Sequence, residues 1–191
     1  MIKEISHKIT SLCVERNLIV EDKREVYDYG MGLVLSSTFS LITIMGIAIA
    51  LGKALEALGF IVFFVFLRNA AGGYHSGSYL SCFIKFSCMV SISLFLSHMI
   101  LNRTSMGSAV SITAMICITA IAIVLLYAPV DTANKRFSNE EIVFYRERSI
   151  KTVLFQGVAL AMITYLDTSL ALASSFGMLM QGITLFPVLN K

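Results

Sequence analysis

The chain has 191 residues, 57% of them hydrophobic and 14% charged, and its mean hydropathy of +0.79 lies far above that of a soluble domain of this size. These figures exclude a disordered chain, and four cysteines without CxxC spacing argue against both a disulfide framework and a zinc module. A net charge of +3, thinly spread, argues against nucleic-acid binding as the main business and bears on membrane topology instead.

At the start of the chain Ile2, Ile5, Ile9 and Leu12 recur at helical spacing, while Lys3, Glu4, Lys8 and Glu15 take the other face. This pattern predicts an amphipathic helix within 1–28 that lies on the membrane. It is not a signal peptide, because the continuous apolar run near the start is missing.

A bilayer core needs about 20 apolar residues per helix. Five stretches meet that length clearly, at about 30–51, 79–101, 106–128, 150–166 and 169–189. A sixth, 54–67, is short unless it borrows polar neighbours such as Asn69, and a re-entrant path is an alternative for it. The longest polar connection, 129–149, is too charged to enter lipid. The expected fold is therefore all-α and polytopic, a single membrane-embedded domain with about six transmembrane helices.

Orientation follows from Lys and Arg in the short loops. Five basic residues (Lys3, Lys8, Arg16, Lys23, Arg24) precede the first span, and five more (Lys135, Arg136, Arg146, Arg148, Lys151) lie in or beside the 129–149 loop. With six spans both groups fall on one side, together with Arg68 and Lys191, and the opposite loops hold only Lys53 and Arg103. That side is expected to be cytoplasmic.

The most informative stretch is 68–82, RNAAGGYHSGSYLSC. Gly72, Gly73 and Gly77 free the backbone for tight turns, and Arg68, His75 and Cys82 supply a cation, a base and a nucleophile at a depth where polar groups are costly. Singly, a boundary His is more often an interfacial residue and a Cys in an apolar helix a small hydrophobe. In one straight helix His75 and Cys82 would lie roughly 10 Å apart along the axis, whereas a base and its thiol need about 3 Å. A working pair therefore requires the helix to begin near Ser78, with its hydroxyl as N-cap, and the glycine stretch to fold back. Cys82 then falls within the first turn, near the positive end of the helix dipole, with Lys85 one turn on. For Lys85, snorkelling to the membrane surface is an equal alternative.

Arg68, the AGG of 71–73, His75 and Cys82 at this spacing, followed by APVDTANK at 128–135, resemble the accessory gene regulator B (AgrB) family of membrane cysteine endopeptidases. The resemblance covers most of the chain through its length and span pattern, and Arg136 stands where the family often has proline. It implies a multi-pass protein of a bacterial-type cell membrane whose site faces the cytoplasm. The implied reaction cuts the C-terminal part from an AgrD-like quorum-sensing propeptide and leaves a cyclic thiolactone or lactone. His75 and Cys82 match the family's catalytic pair, and Arg68 and Gly73 match its motif. Arg68, Lys135 and Arg136 are candidates for holding the acidic tail of the substrate, and Lys85 for support. Such chemistry needs neither metal nor organic cofactor: a Cys82 acyl-enzyme passes its thioester to a substrate cysteine without ATP. Asn69, Asp131 and Asn134 are third members by residue type alone, and none is assigned.

Packing explains Cys13, Cys88 and Cys117, and His7 and His98 lack partners at ligand or base spacing. Six short spans bury little surface, which leaves room for a homodimer. The rival from another class is a small peptide transporter or exporter, which glycine-broken helices would also suit, although no inverted repeat is visible. A noncatalytic scaffold that binds an amphipathic peptide is the third reading.

Overall fold

Long apolar runs fold as helices because a helix satisfies every backbone N–H and C=O within one segment. The computed structural model describes residues 2–73, 78–130 and 138–186. They form α1 (Ile2–Glu15), a 3-10 turn (Glu21–Lys23), α2 (Arg24–Ala50), α3 (Ala54–Ala71), α4 (Tyr79–Arg103), α5 (Met106–Tyr127), α6 (Asn139–Leu166) and α7 (Thr168–Ile183). The architecture is the all-α polytopic one expected, and five helices, α2 to α6, are long and apolar enough to cross a membrane.

One expectation about the spans is borne out and one is corrected. The weak second stretch is a continuous helix, Ala54–Ala71, that runs through the middle of the bundle and is the most buried of the five. The last stretch, by contrast, forms only the 16 residues of α7, about 24 Å at 1.5 Å per residue, against a hydrocarbon core of roughly 30 Å. The physical reason is burial. Every residue from Ala171 to Met178 is buried, so α7 is sheathed by protein and lipid thickness does not set its length.

Helices α3 and α7 form the central pair and pack more extensively than any other two elements. Small residues let their backbones meet: a Cβ on Gly177 would stand 2.5 Å from the Phe60 carbonyl oxygen, and one on Gly59 would stand 2.5 Å from Ser174 Oγ. On one side α5 and α6 complete a core around Leu67, Val124, Val153, Leu160 and Met178. On the other, α2 and α4 close a second core around Ile44, Phe60, Phe64, Val90 and Phe176. Gln156 on α6 donates to the Phe63 carbonyl at 2.8 Å, one of the few polar ties inside the bundle.

The polar connection expected over 129–149 is partly helical. Helix α6 begins at Asn139 with a capping box: the Glu141 amide donates to Ser138 Oγ at 3.2 Å, and the Ser138 amide donates to Glu141 Oε2 at 3.0 Å. The SNEE sequence carries that signature, S-x-x-E. Arg146 then donates to the Ala128 and Leu125 carbonyls at 3.0 and 3.3 Å, capping the end of α5. At the opposite end Asp167 joins α6 to α7 and caps α7 by accepting from the Ser169 and Leu170 amides. Nearby, Glu56 accepts from Lys53 and Ser169, which fixes the starts of α3 and α7 together.

Helix α1 ends at Glu15, well short of residue 28, and lies against the start of α2. Its small polar residues make the contact: Ser6 and Thr10 are buried, and Ser6 Oγ donates to the Asp28 carboxylate at 2.6 Å. Ile5 and Leu12 stay exposed on the outside of the bundle.

Candidate functional site

Arg68 occupies the last turn of α3, half-buried, with its guanidinium carbon 5.9 Å from the centroid of the Phe64 ring one turn earlier. This stacking holds the long side chain in place through a cation–π contact. The helix stops because Gly72 turns to φ +72°, with its amide donating to the Arg68 carbonyl at 3.0 Å, and Gly73 follows at φ +117°. Both positions need glycine for space as well as conformation. A Cβ on Gly72 would meet the Val130 carbonyl oxygen at 2.6 Å, and one on Gly73 would meet Thr184 Oγ1 at 2.6 Å.

A helix end leaves its last carbonyls without intrahelical donors. Here three different elements supply them. Ser149 Oγ of α6 donates to Ala70 O at 2.9 Å, the Val130 amide donates to Ala71 O at 3.1 Å, and Gln181 Nε2 of α7 donates to Gly72 O at 2.7 Å. Gly72 and Val130 also form an isolated parallel β-bridge. The AGG stretch and the APV that opens the second motif are therefore neighbours, and each is fixed by the other.

Helix α4 begins where the spacing argument places it. Ser78 is the N-cap, its Oγ accepting from the Ser81 amide at 3.2 Å, and the Cys82 amide makes the first intrahelical bond, to Ser78 O at 3.0 Å. Cys82 thus lies in the first turn with its thiol group exposed. Across the gap between the end of α3 and the start of α4, Arg68 and Cys82 lie within range of an electrostatic interaction. Lys85 stands one turn further along α4, also exposed. His75 lies outside the described residues, as do Lys135, Arg136, Asp131 and Asn134. Among the described candidates, then, Arg68, Gly73 and Cys82 gather at one end of the bundle.

The remaining thiols differ in setting. Cys117 is buried in the α3/α5/α6/α7 core, Cys13 is half-buried on α1, and Cys88 is exposed on α4. The two described histidines do have partners, contrary to expectation. His7 Nδ1 lies 3.4 Å from Asp28 Oδ2, and His98 Nε2 lies 2.9 Å from Asn102 Nδ2. The first joins α1 to α2, where Asp28 shares a cavity with Tyr79, the first residue of α4, and the second sits near the far end of α4. Among the described residues no group of three or more His, Cys, Asp or Glu is arranged to hold a metal ion.

Chemically, the site offers an exposed cysteine at a helix N-terminus within electrostatic range of a guanidinium, next in sequence to a glycine turn fastened from three directions. Sequence reasoning finds Arg68, Gly73, Ser78 and Cys82 but misses Ser149, Val130 and Gln181. The glutamine within the apolar 169–189 stretch carried a signal, since a polar side chain at that depth needs a partner, whereas Ser149 closes the polar connection and Val130 follows Pro129, and neither stands out.

The family model described as accessory gene regulator B matches residues 5–185. Two relatives from Clostridium perfringens are similar to the chain. One, provisionally named AgrB-like protein 2 (strain 13, type A), is 27% identical over 142 residues, covering 74% of this chain and 66% of its own. The other, provisionally named AgrB-like protein (strain SM101, type A), is 29% identical over 140 residues, covering 73% and 64%. The aligned part thus spans slightly less than two thirds of each relative's length. No solved structure matches the chain. The family match takes in all the bundle helices together with the Arg68-to-Cys82 segment, and the chain belongs to the accessory gene regulator B (AgrB) family.

Proposed function

We propose that the protein is a membrane cysteine endopeptidase that processes an AgrD-like propeptide for quorum sensing, with Cys82 as nucleophile and His75 as its base. The observation that carries this reading is the exposed Cys82 in the first turn of α4, within a chain of the AgrB family whose motif residue Arg68 ends α3 within electrostatic range of it. Thiolate attack on a peptide carbonyl forms the Cys82 thioester and expels the C-terminal piece as an amine, to which His75 returns the proton taken from the thiol. A substrate cysteine then attacks that thioester, closing the ring and releasing Cys82 as a thiol. One thioester replaces another, so no external energy source is needed, and a substrate serine would give a lactone. Arg68 steadies negative charge at the sulfur, and the clamped glycine turn keeps the approach fixed.

Lys135 and Arg136, with Lys85, draw the acidic tail of the propeptide toward the site through charge-assisted hydrogen bonds. The site end of the bundle faces the cytoplasm, because the basic segments cluster there. The test is processing in liposomes of candidate propeptides that carry an amphipathic helix, a central Cys or Ser and an acidic tail, read by mass spectrometry. Wild type and the Cys13→Ala, Cys88→Ala, Cys117→Ala triple variant should release the C-terminal piece. Cys82→Ser and His75→Ala should lose the activity by a factor on the order of 10³ or more. Release at the wild-type rate by Cys82→Ser, at matched protein amount, would leave the peptidase reading without its nucleophile.

A further inference from the structure

We propose that Gln181 is a positioning residue for the Arg68-to-Cys82 segment, holding the Gly72–Gly73 turn against the last turn of α7 through its side-chain amide. The proposal rests on the peptidase reading only where activity is measured.

Gln181 is fully buried, on a helix whose neighbouring buried positions are mostly small or apolar. Burying a primary amide is costly unless its hydrogen bonds are made, so packing alone would favour an apolar side chain there. What the amide does in that place is specific: Nε2 donates to the Gly72 carbonyl at 2.7 Å. The carbonyls of Ala70 and Ala71 are served by Ser149 and Val130, which leaves Gly72 as the one of the three held from α7. Gly73 is seated on the same surface. A Cβ there would stand 3.4 Å from Gln181 Nε2, 3.2 Å from the Thr184 carbonyl oxygen and 2.6 Å from Thr184 Oγ1. Thr184 Oγ1 in turn donates to the Gln181 carbonyl at 2.7 Å, which stiffens the end of α7 under the turn.

The other amide atom, Gln181 Oε1, is buried and has no donor among the described residues. Among the described residues, the bond to Gly72 is the hydrogen bond that orients the Gln181 amide. Helix α7 is also anchored in the core by Met178, so the turn inherits the rigidity of the bundle interior. The consequence reaches Cys82 through geometry. In the chain the Gly72–Gly73 turn lies between Arg68 and Cys82; α3 and α4 touch each other little and α4 packs mainly on α2 and α7, so the turn holds the Arg68 side of the site against the same α7 that seats α4. Gln181 touches no reacting atom and acts through that turn.

The test uses the full chain carrying Cys13→Ala, Cys88→Ala and Cys117→Ala, so that Cys82 is the one thiol, in liposomes. Iodoacetamide labelling of Cys82 is timed with and without Arg68→Gln, in the Gln181 background and with Gln181→Leu or Gln181→Asn. The expected result is that Arg68→Gln slows labelling several-fold when Gln181 is present and less than twofold when it is replaced. A purely structural role would change protein yield but not this dependence. With a processed propeptide, both replacements should lower kcat about tenfold or more and change KM less than twofold, as a displaced reacting group does. Gln181→Asn keeps the polarity but loses the reach, and it carries the test if Gln181→Leu does not insert. The proposal is overturned if Arg68→Gln has the same effect on labelling in all backgrounds, including none, or if Gln181→Asn processes at the wild-type kcat. Failure of the wild type to cleave any propeptide would count against the peptidase reading alone, because the labelling comparison decides the role of Gln181 without substrate.

Discussion

The Val130 amide donates to the Ala71 carbonyl at 3.1 Å, which joins the segment after α5 to the end of α3. Through this bond and the Gly72–Val130 bridge, the described parts of the two sequence motifs, Arg68 to Gly73 and Ala128 to Val130, are held together.

Glycine at 72 and 73 should therefore be irreplaceable. At Gly73→Ala the new methyl meets Thr184 Oγ1 in a backbone conformation of φ +117°, and at Gly72→Ala it meets the Val130 backbone oxygen at φ +72°. Each substitution should cost about 1–3 kcal/mol of local strain and displace the turn. Propeptide cleavage should fall at least tenfold in both variants, while insertion of the helices persists. Cleavage assays alongside thermal unfolding in detergent check this, and a Gly73→Ala protein of full activity would mean that the turn is dispensable.

Charge predicts the orientation of the chain. Ten of the fifteen basic residues lie in the N-terminal segment or in and beside the 129–149 stretch, and both should be cytoplasmic. A reporter cysteine at Asn139, the first residue of α6, should resist a membrane-impermeant maleimide added to intact cells and react after the membrane is opened. Labelling from outside would invert the topology and move the Cys82 end to the exterior.

How far the sequence reached is clearest in the contrast between α3 and α7. The length of an apolar run is measured against lipid, so the 54–67 stretch looks short, although it belongs to the central 18-residue α3, and 169–189 looks like a full span, although α7 is a short interior helix. Which helix sits inside depends on pairings such as Gly177 against the Phe60 carbonyl, and these are set by tertiary contact rather than by periodicity. The local chemistry was more legible. Ser78 as N-cap and Cys82 in the first turn follow from residue type and spacing alone. Gln181, Ser149 and Val130 are far from Gly72 in sequence, and nothing in the local pattern names which carbonyl each serves.

Lys135 and Arg136 separate substrate binding from topology. Replacing both by Gln should raise the propeptide concentration needed for half-maximal rate about tenfold, with little change at saturation, because charge-assisted hydrogen bonds to an acidic tail are lost before the chemical step. The effect should shrink when the tail of the propeptide is neutralised. Unchanged concentration dependence, with unchanged insertion, would assign the two residues to orientation alone.

The most direct measurement is the intact mass of the protein after reaction with a propeptide whose ring-closing cysteine is replaced by alanine. Without the second thiol the acyl-enzyme has only water to consume it, so the protein should gain the mass of the N-terminal part of the propeptide as a thioester. The adduct should map to Cys82 and be released by hydroxylamine. Cys82→Ala should form no adduct and release no C-terminal piece, and His75→Ala should form the adduct far more slowly. Release of the C-terminal piece by Cys82→Ala at the wild-type rate, or an adduct on Cys13, Cys88 or Cys117 instead, would contradict the assignment of Cys82 as the nucleophile.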